Sequence, residues 1–361
     1  MKIAIIITGN AFKAPYLSYY FNFLDEHKVD YDVICWNRRS IDEPRTFAYN
    51  VSQNEERGYF RRFYSYLGYK KFVIDCLNRN SYDKIIISTI AIAILLYQYL
   101  NKHYRKKFIF DIRDYSLILK LTWFILKKLI QNSSVTVISS AGFKQWLPKS
   151  LEYSVAHNFP FGISSGNVEF LSEEQRLNTN TKSLEITTIG SLRDYAANKL
   201  IIDAFKSSNQ FTLNFIGSGT AYYPLKKYVL DNKISNASFF GFYNKKDEAD
   251  LLKNSMFINN FTNTDLNGRT LLTNRFYLSV VLGIPMIVRF GTYQAELCAG
   301  YNLGCILNPE LAMPEQLLEY INSFNYEIYH QSRLSFLELV QIDTELLNNK
   351  LNEFVGKGSN A

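Results

Sequence analysis

The stretch that most constrains the fold of this chain is 184–219, where two apolar runs flank a segment with helical spacing. The first run is Leu184–Ile189 and the second is Phe211–Ile216. A strand, a turn, a helix and a second strand make a βαβ unit, with parallel strands and a right-handed crossover. Ligands of such open sheets bind beyond the carboxyl ends of the strands. We therefore expect a binding site around the glycines that follow the two runs, Gly190, Gly217 and Gly219.

Two cations lie in the loop and helix after the first run. Arg193 and Lys199 stand on either side of the predicted start of the helix, Ala197–Lys206. Backbone N–H groups and the helix dipole favour an anion at such a position, and the two cations add charge and hydrogen bonds. The pattern predicts a diphosphate-binding site. The alternative is that both residues are solvated surface cations, because short motifs of this kind are weak.

Length and composition indicate a globular protein with two domains. The chain has 361 residues, more than one ordinary core holds, with 47% hydrophobic and 20% charged residues. Its net charge of +7 suits an anionic partner: a nucleotide, a nucleic acid or an acidic membrane surface. The four cysteines have no CxxC spacing, so we expect neither a metal site nor disulfide bonds. The N-terminal apolar run is too short for a signal peptide, and a reduced, cytoplasmic setting is expected.

The N-terminal half opens with a similar unit. Lys2–Thr8 is a predicted strand that ends at a glycine turn and is followed by a helix and another strand. The turn lacks GxGxxG, so no dinucleotide site is expected. Further along, the predicted strand Lys107–Ile112 runs directly into Arg113 and Asp114. Catalytic groups tend to lie at such strand ends; the alternative is an ion pair between Arg113 and a neighbouring Asp that only shapes the loop.

Residues 57–72 mix basic and aromatic side chains densely, in the run RGYFRRFYSYLGYKKF. Aromatic rings lie at headgroup depth in membrane interfaces, and cations there meet anionic lipid. This favours a contact with an anionic membrane surface. Alternatively, the stretch is a helix that packs through Phe60, Phe63 and Leu67 and keeps its cations in water. No nucleic-acid recognition motif accompanies it, so no nucleic-acid partner is expected.

Several motifs resemble those of the GT-B glycosyltransferases, especially the family 4-type enzymes of bacterial capsule and exopolysaccharide synthesis. In the first half, FIFDIRD is similar to the strand and acidic loop of the acceptor domain. VTVISSAGFKQWLP and VAHNFP resemble the passage before the linker. In the second half, IGSLRDYAANKLIIDAF resembles the opening of the donor domain, and FIGSG and FFGFY match the next two strand ends. LLTNRFYLSVVLGIPMIV resembles a later helix and strand, so the resemblance covers nearly the whole chain.

The resemblance implies an α/β protein of the GT-B fold, in which two Rossmann-like domains face a central cleft. It divides the chain into an acceptor-binding domain, 1–160, a linker, 161–182, a nucleotide-sugar-binding domain, 183–335, and a C-terminal helix, 336–361. It implies a hexosyltransferase that takes a sugar from a nucleotide-sugar donor, with UDP as the expected nucleotide. The implied acceptor is a glycan or an undecaprenyl-linked oligosaccharide at the inner face of the plasma membrane. No cofactor is implied beyond the donor, and no metal is needed if protein cations neutralise the diphosphate.

The same resemblance assigns roles to individual residues. Arg193 and Lys199 become the cations that bind the donor diphosphate, which carries the charge that develops on the leaving group. Asp114, with Arg113 as its partner, becomes the candidate base or orienter for the acceptor hydroxyl. The remaining donor-site candidates are Gly190, Gly217, Gly219, Phe242, Tyr243, Asn274 and Arg275.

The sequence departs from the family at two positions near the donor. The family usually has Glu five residues before the Gly of GxP and another Glu eight residues earlier, where this chain has Leu278 and Thr270. Leu278 cannot hydrogen-bond a donor ribose, so Asn274 and Arg275, one turn upstream, are the expected substitutes. The departure also leaves open a non-catalytic partner subunit that keeps the fold. A nucleotide-sugar epimerase of similar architecture is a further alternative.

Overall fold

The computed structural model describes residues 1–38, 40–51, 59–158 and 183–356, with side chains from residue 64 onward in the third range. The chain divides into two compact units. The first combines Met1–His157 with Ile342–Ala361, and the second is Asn158–Gln341. The predicted linker, 161–182, and the first side chains of 57–72 lie outside the described residues.

The first unit contains a seven-stranded parallel sheet with the order β3-β2-β1-β4-β5-β6-β7. Most of its strands are continuous apolar runs, as expected for a parallel sheet that is covered on both faces. The strands are β1 Lys2–Ile7, β2 Asp30–Trp36, β3 Thr46–Tyr49, β4 Lys84–Ser88, β5 Phe108–Ile112, β6 Val135–Ile138 and β7 Ser154–Val155. The α-helices described between them are α1 Leu17–Glu26, α2 Tyr59–Asn80, α3 Ile90–His103 and α4 Leu119–Asn132.

The second unit contains a six-stranded parallel sheet with the order β10-β9-β8-β11-β12-β13. The strands are β8 Leu184–Ser191, β9 Phe211–Ser218, β10 Ala237–Phe240, β11 Phe257–Asn259, β12 Met286–Arg289 and β13 Gly304–Leu307. The helices are α5 Tyr195–Phe205, α6 Tyr222–Asp231, α7 Glu248–Leu252, α8 Leu266–Thr270, α9 Asn274–Leu282, α10 Tyr293–Tyr301, α11 Met313–Ser323 and α12 Tyr326–Phe354. The predicted βαβ unit is present as β8, α5 and β9.

Helix α9, which carries two donor-site candidates, has a defined cap at each end. The hydroxyl of Thr273 accepts the backbone N–H of Phe276 at 3.1 Å and starts the helix. Gly283 ends it in the left-handed conformation. The buried guanidinium of Arg333, on α12, then donates from Nη1 to the carbonyl of Val280 at 3.0 Å. A cation at a helix C-terminus is favoured by the helix dipole, so Arg333 fixes this end of α9.

The second half of α12 belongs to the first unit. Its apolar side chains Leu347, Leu351 and Phe354 are buried in the core that also holds β1. Nε2 of His157 lies 2.8 Å from Oδ2 of Asp343, and the Tyr19 hydroxyl donates to Oδ1 of Asn348 at 2.6 Å. The end of the chain therefore contributes both packing and polar contacts to the N-terminal sheet.

Several elements differ from the sequence-based prediction. The four-residue edge strand β3, the strand β13 and the helix α10 were not predicted. The predicted loop Thr262–Arg269 contains the start of α8, which Asp265 caps by accepting the N–H of Gly268. The two predicted terminal helices, 312–331 and 335–354, are instead α11 and α12, with the break at Phe324 and Asn325. These errors fall at short elements and helix ends, where local pattern carries least information.

No helix among the described residues is both long and apolar enough to span a bilayer.

Candidate functional site

The carboxyl edge of the second sheet begins at a close approach between two glycine-containing strand ends. β8 and β9 stay paired beyond their apolar runs, through Gly190 opposite Gly217. Gly217 has φ +134°, and a Cβ there would lie 1.9 Å from the Gly190 carbonyl oxygen. Gly219 has φ +156°, and a Cβ there would lie 2.2 Å from the carbonyl oxygen of Leu192. Backbone geometry alone therefore requires glycine at 217 and 219.

Tyr243 lies beside this glycine pair. A Cβ built on Gly190 would be 3.8 Å from the Tyr243 hydroxyl, which places the ring next to the end of β8. The hydroxyl donates to Oε1 of Glu248 at 2.7 Å. Burial raises the pKa of Tyr243, and the bond to Glu248 raises it further. The phenol therefore stays neutral and its proton is held by Glu248.

Arg275, in the first turn of α9, is the most unusual group at this edge. Its side chain is partly buried, and its Nη1 atom is fully buried with no hydrogen-bond partner among the described residues. Burial lowers the pKa of the guanidinium from its ordinary value to about 10, although Tyr243 and Asp194 oppose the shift electrostatically. Arg275 is therefore still a cation at neutral pH. A buried cation with an unused donor is an arrangement that an anion would complete.

Asp194 is the carboxylate that attracts the Arg275 guanidinium, but both of its oxygens accept hydrogen bonds from backbone N–H groups. Oδ1 accepts the backbone N–H of Ala197 at 3.0 Å and so caps α5. Oδ2 accepts the backbone N–H of Asn263 at 3.1 Å and ties the loop after β11 to the loop after β8. No ion pair between Asp194 and Arg275 is formed in the described structure. The positive charge of Arg275 is thus only partly offset.

The other predicted donor residues are placed less closely. Arg193, Asn274 and Phe242 are exposed, and Phe242 has 83% of its surface accessible. Lys199 forms an ion pair with Asp203 inside α5, and its Nζ atom lies 4.4 Å from the centre of the Tyr228 ring. These contacts are with helix neighbours and not with the glycine turns. A shared role for Arg193 and Lys199 around one anion stays a prediction.

The two positions at which the family has Glu are built into the protein interior. Leu278 is buried in an apolar cluster with Ile189, Ile216, Leu252, Ile258 and Ile284. Thr270 is fully buried, and its hydroxyl donates to the carbonyl of Leu266 at 2.7 Å. Leu278 therefore contributes packing beneath the glycine turns, where a carboxylate would have to be desolvated.

In the first unit, the predicted acidic loop starts from a buried ion pair. Asp111, at the end of β5, is fully buried, and its Oδ2 accepts from Nη2 of Arg113 at 2.6 Å and from the Tyr20 hydroxyl at 3.0 Å. The Arg113 guanidinium lies 4.2 Å from the centre of the Tyr16 ring. Burial by itself lowers the pKa of Arg113, but the attraction of Asp111 outweighs it and raises the pKa. Arg113 thus holds the strand end in place.

Asp114 follows this pair and is exposed. Its position at the carboxyl edge of the first sheet is as predicted, while its role as a base or orienter stays a prediction. The sequence places Asp111 at the same strand end as Arg113 and Asp114, and Asp111 is the neighbouring Asp with which Arg113 forms its ion pair. Among the described residues, no group of three His, Cys, Asp or Glu side chains is arranged to hold a metal ion.

Comparison with known proteins identifies the fold. No protein-family model and no curated protein matches the sequence. Among solved structures, sucrose-phosphate synthase from Thermosynechococcus elongatus superposes with a TM-score of 0.72 at 11% identity, over 99% of this chain and 98% of that one. HepE from Anabaena, solved in complex with UDP and glucose, gives 0.66 at 13% identity over 99% of both chains. The apo lipopolysaccharide outer core galactosyltransferase WaaB gives 0.63 at 15% identity, over 98% of this chain and 99% of that one. The chain has the GT-B fold, as its motifs predicted.

Proposed function

We propose that this protein is a glycosyltransferase that moves a sugar from a nucleotide-sugar donor to a lipid-linked or oligosaccharide acceptor in bacterial surface polysaccharide synthesis. The GT-B fold supports the class of reaction, and one structural neighbour was solved with UDP and glucose bound. The sequence motifs of the second unit support a donor site at the carboxyl edge of its sheet. UDP is the nucleotide that we expect in that site.

The observation that carries the proposal is the partly buried guanidinium of Arg275, whose Nη1 atom is fully buried with no partner among the described residues. Transfer from a nucleotide sugar breaks the bond between the sugar and the diphosphate, so negative charge grows on the diphosphate oxygen as it leaves. A cation already held in a partly dehydrated position stabilises that charge without reorganising. Arg193, exposed in the loop after β8, would add a second cation.

On the acceptor side, Asp114 is the proposed group that orients or deprotonates the attacking hydroxyl. The carboxylate is exposed and follows directly after the ion pair of Asp111 and Arg113, which holds the end of β5 rigid. A base on a fixed support is positioned more accurately than one on a free loop. An exposed carboxylate is also open to an incoming acceptor hydroxyl.

The proposal places the protein at the cytoplasmic face of the plasma membrane, where a lipid-linked acceptor would be. The sequence of 57–72 suits contact with anionic lipid there. The net charge of +7 acts in the same direction. Neither a metal ion nor a further cofactor is part of the proposal.

A thermal-shift screen of the purified protein with UDP, GDP, dTDP and CMP tests the donor assignment. A ligand that binds only the folded state, at about 100 times its Kd, adds roughly 2.7 kcal/mol to the free energy of unfolding. We expect a shift with one nucleotide, lost in Arg275→Gln and retained in the matched variant Arg289→Gln, a partly buried arginine stacked on Phe261 at 5.3 Å. No shift with any nucleotide would refute the proposed donor site.

A second candidate function is a non-catalytic subunit that docks on an active transferase. The burial of Leu278 in an apolar cluster favours it, because this position offers no hydrogen bond to a donor ribose. Sugar release from the bound donor by the purified chain alone would exclude this candidate. Nucleotide binding without turnover, restored to turnover by a partner protein, would support it.

A further inference from the structure

The outward side of α4 and the turn before it is a surface that the donor and acceptor sites leave unexplained. Four large apolar side chains are exposed there: Leu117 (73%), Leu121 (86%), Trp123 (42%) and Phe124 (62%). The opposite side of the helix is apolar as well, since Leu119, Leu126, Leu129 and Ile130 are buried. A helix at a protein surface normally presents polar residues to water. The outward side of α4 is therefore suited to an apolar environment.

The polar residues on that side are cationic. Lys120, Lys127 and Lys128 are exposed, and residues 115–132 contain no Asp or Glu. Lysines beside exposed aromatic and aliphatic side chains are typical of helices that lie in a membrane interface, with the cations at the headgroups. A docking site for an acidic protein would need the lysines but not four exposed apolar groups. The combination favours an anionic bilayer.

This surface and the stretch 57–72 lie on helices that are separated by α3. Helix α3 contacts both α2 and α4, so the three helices lie side by side on one face of the first sheet. Tyr64, in α2, is 68% exposed. Within α4, Thr122 leaves the helical conformation and its hydroxyl donates to the carbonyl of Ile118 at 2.8 Å. Because of this kink, the segment that carries Leu117 and Leu121 does not follow the axis of the rest of α4.

We propose that the α4 face, defined as Leu117, Leu121, Trp123 and Phe124 with the three lysines of α4, docks on an anionic lipid bilayer. The apolar side chains enter the region between headgroups and acyl chains, and the lysines contact the lipid phosphates. The inference rests on the proposed function for its membrane setting, and it adds a contact surface that 57–72 does not include. The binding itself requires neither donor nor acceptor.

The fluorescence of Trp123 can be used to detect this contact directly. The chain has three tryptophans, and the other two, Trp36 and Trp146, are 0% and 9% exposed. With vesicles of phosphatidylcholine and phosphatidylglycerol, we expect the emission of the full-length protein to shift to the blue. Phosphatidylcholine alone should give a much smaller shift, and salt should reduce the response to the mixed vesicles. In Trp123→Phe the shift should vanish while sedimentation with the mixed vesicles persists.

Paired variants test whether the α4 face carries the affinity. Leu121→Ser with Phe124→Ser should lower the partition onto the mixed vesicles by about tenfold or more, because two apolar side chains no longer leave water. The matched control is Ile342→Ser with Leu346→Ser, two exposed apolar residues (49% and 58%) on α12 beside Glu345. This control should bind vesicles as the wild type does. Both variants should keep any nucleotide-dependent thermal shift.

Three results would overturn the inference. The first is unchanged vesicle binding by the α4 variant. The second is loss of binding in Lys70→Gln with Lys71→Gln but not in the α4 variant, which would assign the contact to 57–72 alone and leave the membrane setting intact. The third is a wild-type dimer that the α4 variant makes monomeric, without vesicle binding by either, which would make the face a contact between two copies. A negative nucleotide screen alongside normal vesicle binding would refute the donor site only.

Discussion

Replacing Arg275 with methionine should stabilise the ligand-free protein and abolish nucleotide binding. The guanidinium is held in a position where its Nη1 atom is buried without a partner. Methionine has a similar reach and no charge, so it fills the same space without a desolvated donor. Removal of a side chain that serves only the structure would instead lower stability.

The size of the effect follows from the pKa of Arg275. A fall of this pKa from its ordinary value to about 10 means that folding disfavours the charged form by about 3 kcal/mol. Because the side chain is only partly buried, water screens part of this cost, and we expect a gain of about 1 to 2 kcal/mol. For a domain of this size that is a rise in Tm of a few degrees, about 2 to 4 °C for each kcal/mol. The folded-state pKa is lower than that of the unfolded chain, so the cost is fully present below pH 10 and is relieved as the pH rises above it.

The assay is thermal unfolding of wild type and Arg275→Met, each with and without the nucleotide that the screen identifies. The control is Arg333→Met, another buried arginine whose Nη1 donates to the carbonyls of Val280 and Val281 at 3.0 and 3.3 Å. Its loss removes these hydrogen bonds from the end of α9 and should cost about 1 to 3 kcal/mol. The two variants should therefore move Tm in opposite directions. A fall in Tm for Arg275→Met, or a retained nucleotide shift, would refute the assignment of Arg275 to an anion site.

Three further predictions concern stability. Gly217→Ala should cost about 3 kcal/mol or more, because its Cβ would lie 1.9 Å from the Gly190 carbonyl, whereas Gly241→Ala has open space and should change Tm little. Asp203→Asn should lower stability by roughly 1 kcal/mol at neutral pH: burial raises the pKa of Asp203, but bonds from Lys199, Tyr228 and Lys206 outweigh it and lower the pKa to about 2. That stability should be present above pH 4 and should disappear as the pH falls toward 2, which acid titration of both proteins checks. Leu351→Ala should lower the free energy of unfolding of the first unit by about 3 kcal/mol, whereas Leu346→Ala, at an exposed position, should leave it unchanged. Hydrogen exchange of the β1 amides measures both effects.

Much of the fold could be predicted from the sequence because its central strands are long and apolar. Leu184–Ile189 and Phe211–Ile216 correspond to β8 and β9, and the glycines that follow them have backbone conformations that only glycine tolerates. The missing elements lack such patterns. The edge strand β3 is only partly buried along its length, and α10 has no distinct apolar side to give it a helical period. Hydrophobic periodicity identifies elements that are buried on one face and exposed on the other. Elements without this difference between their faces cannot be recognised from it.

The candidate site was less predictable, because it depends on residues that are distant in sequence. The sequence selected Arg275 as a substitute for a missing carboxylate, and nothing in the local pattern indicated that its Nη1 would be buried. The groups that act on the guanidinium electrostatically are Tyr243, after β10, and Asp194, in the loop after β8, and both are distant from it in sequence. The motif around Lys199 predicts that this residue binds an anionic ligand. In the structure Lys199 instead forms an ion pair with Asp203, one turn further along α5. A helical i, i+4 pair of this kind is itself readable from the sequence.

Leu278 and Thr270 leave this edge without carboxylates at the two positions where the family that the motifs resemble has Glu. With Leu278 in the apolar cluster and Thr270 bonded to its own helix, neither position adds negative charge near Arg275. Tyr243 and Asp194 offset the guanidinium electrostatically, and the oxygens of Asp194 already accept two backbone N–H groups. A ligand here should therefore be held mainly through its phosphates and less through its ribose. Introducing Leu278→Glu should raise the affinity for the nucleotide relative to a simple diphosphate, at the expense of stability, since the new carboxylate would be buried among aliphatic side chains.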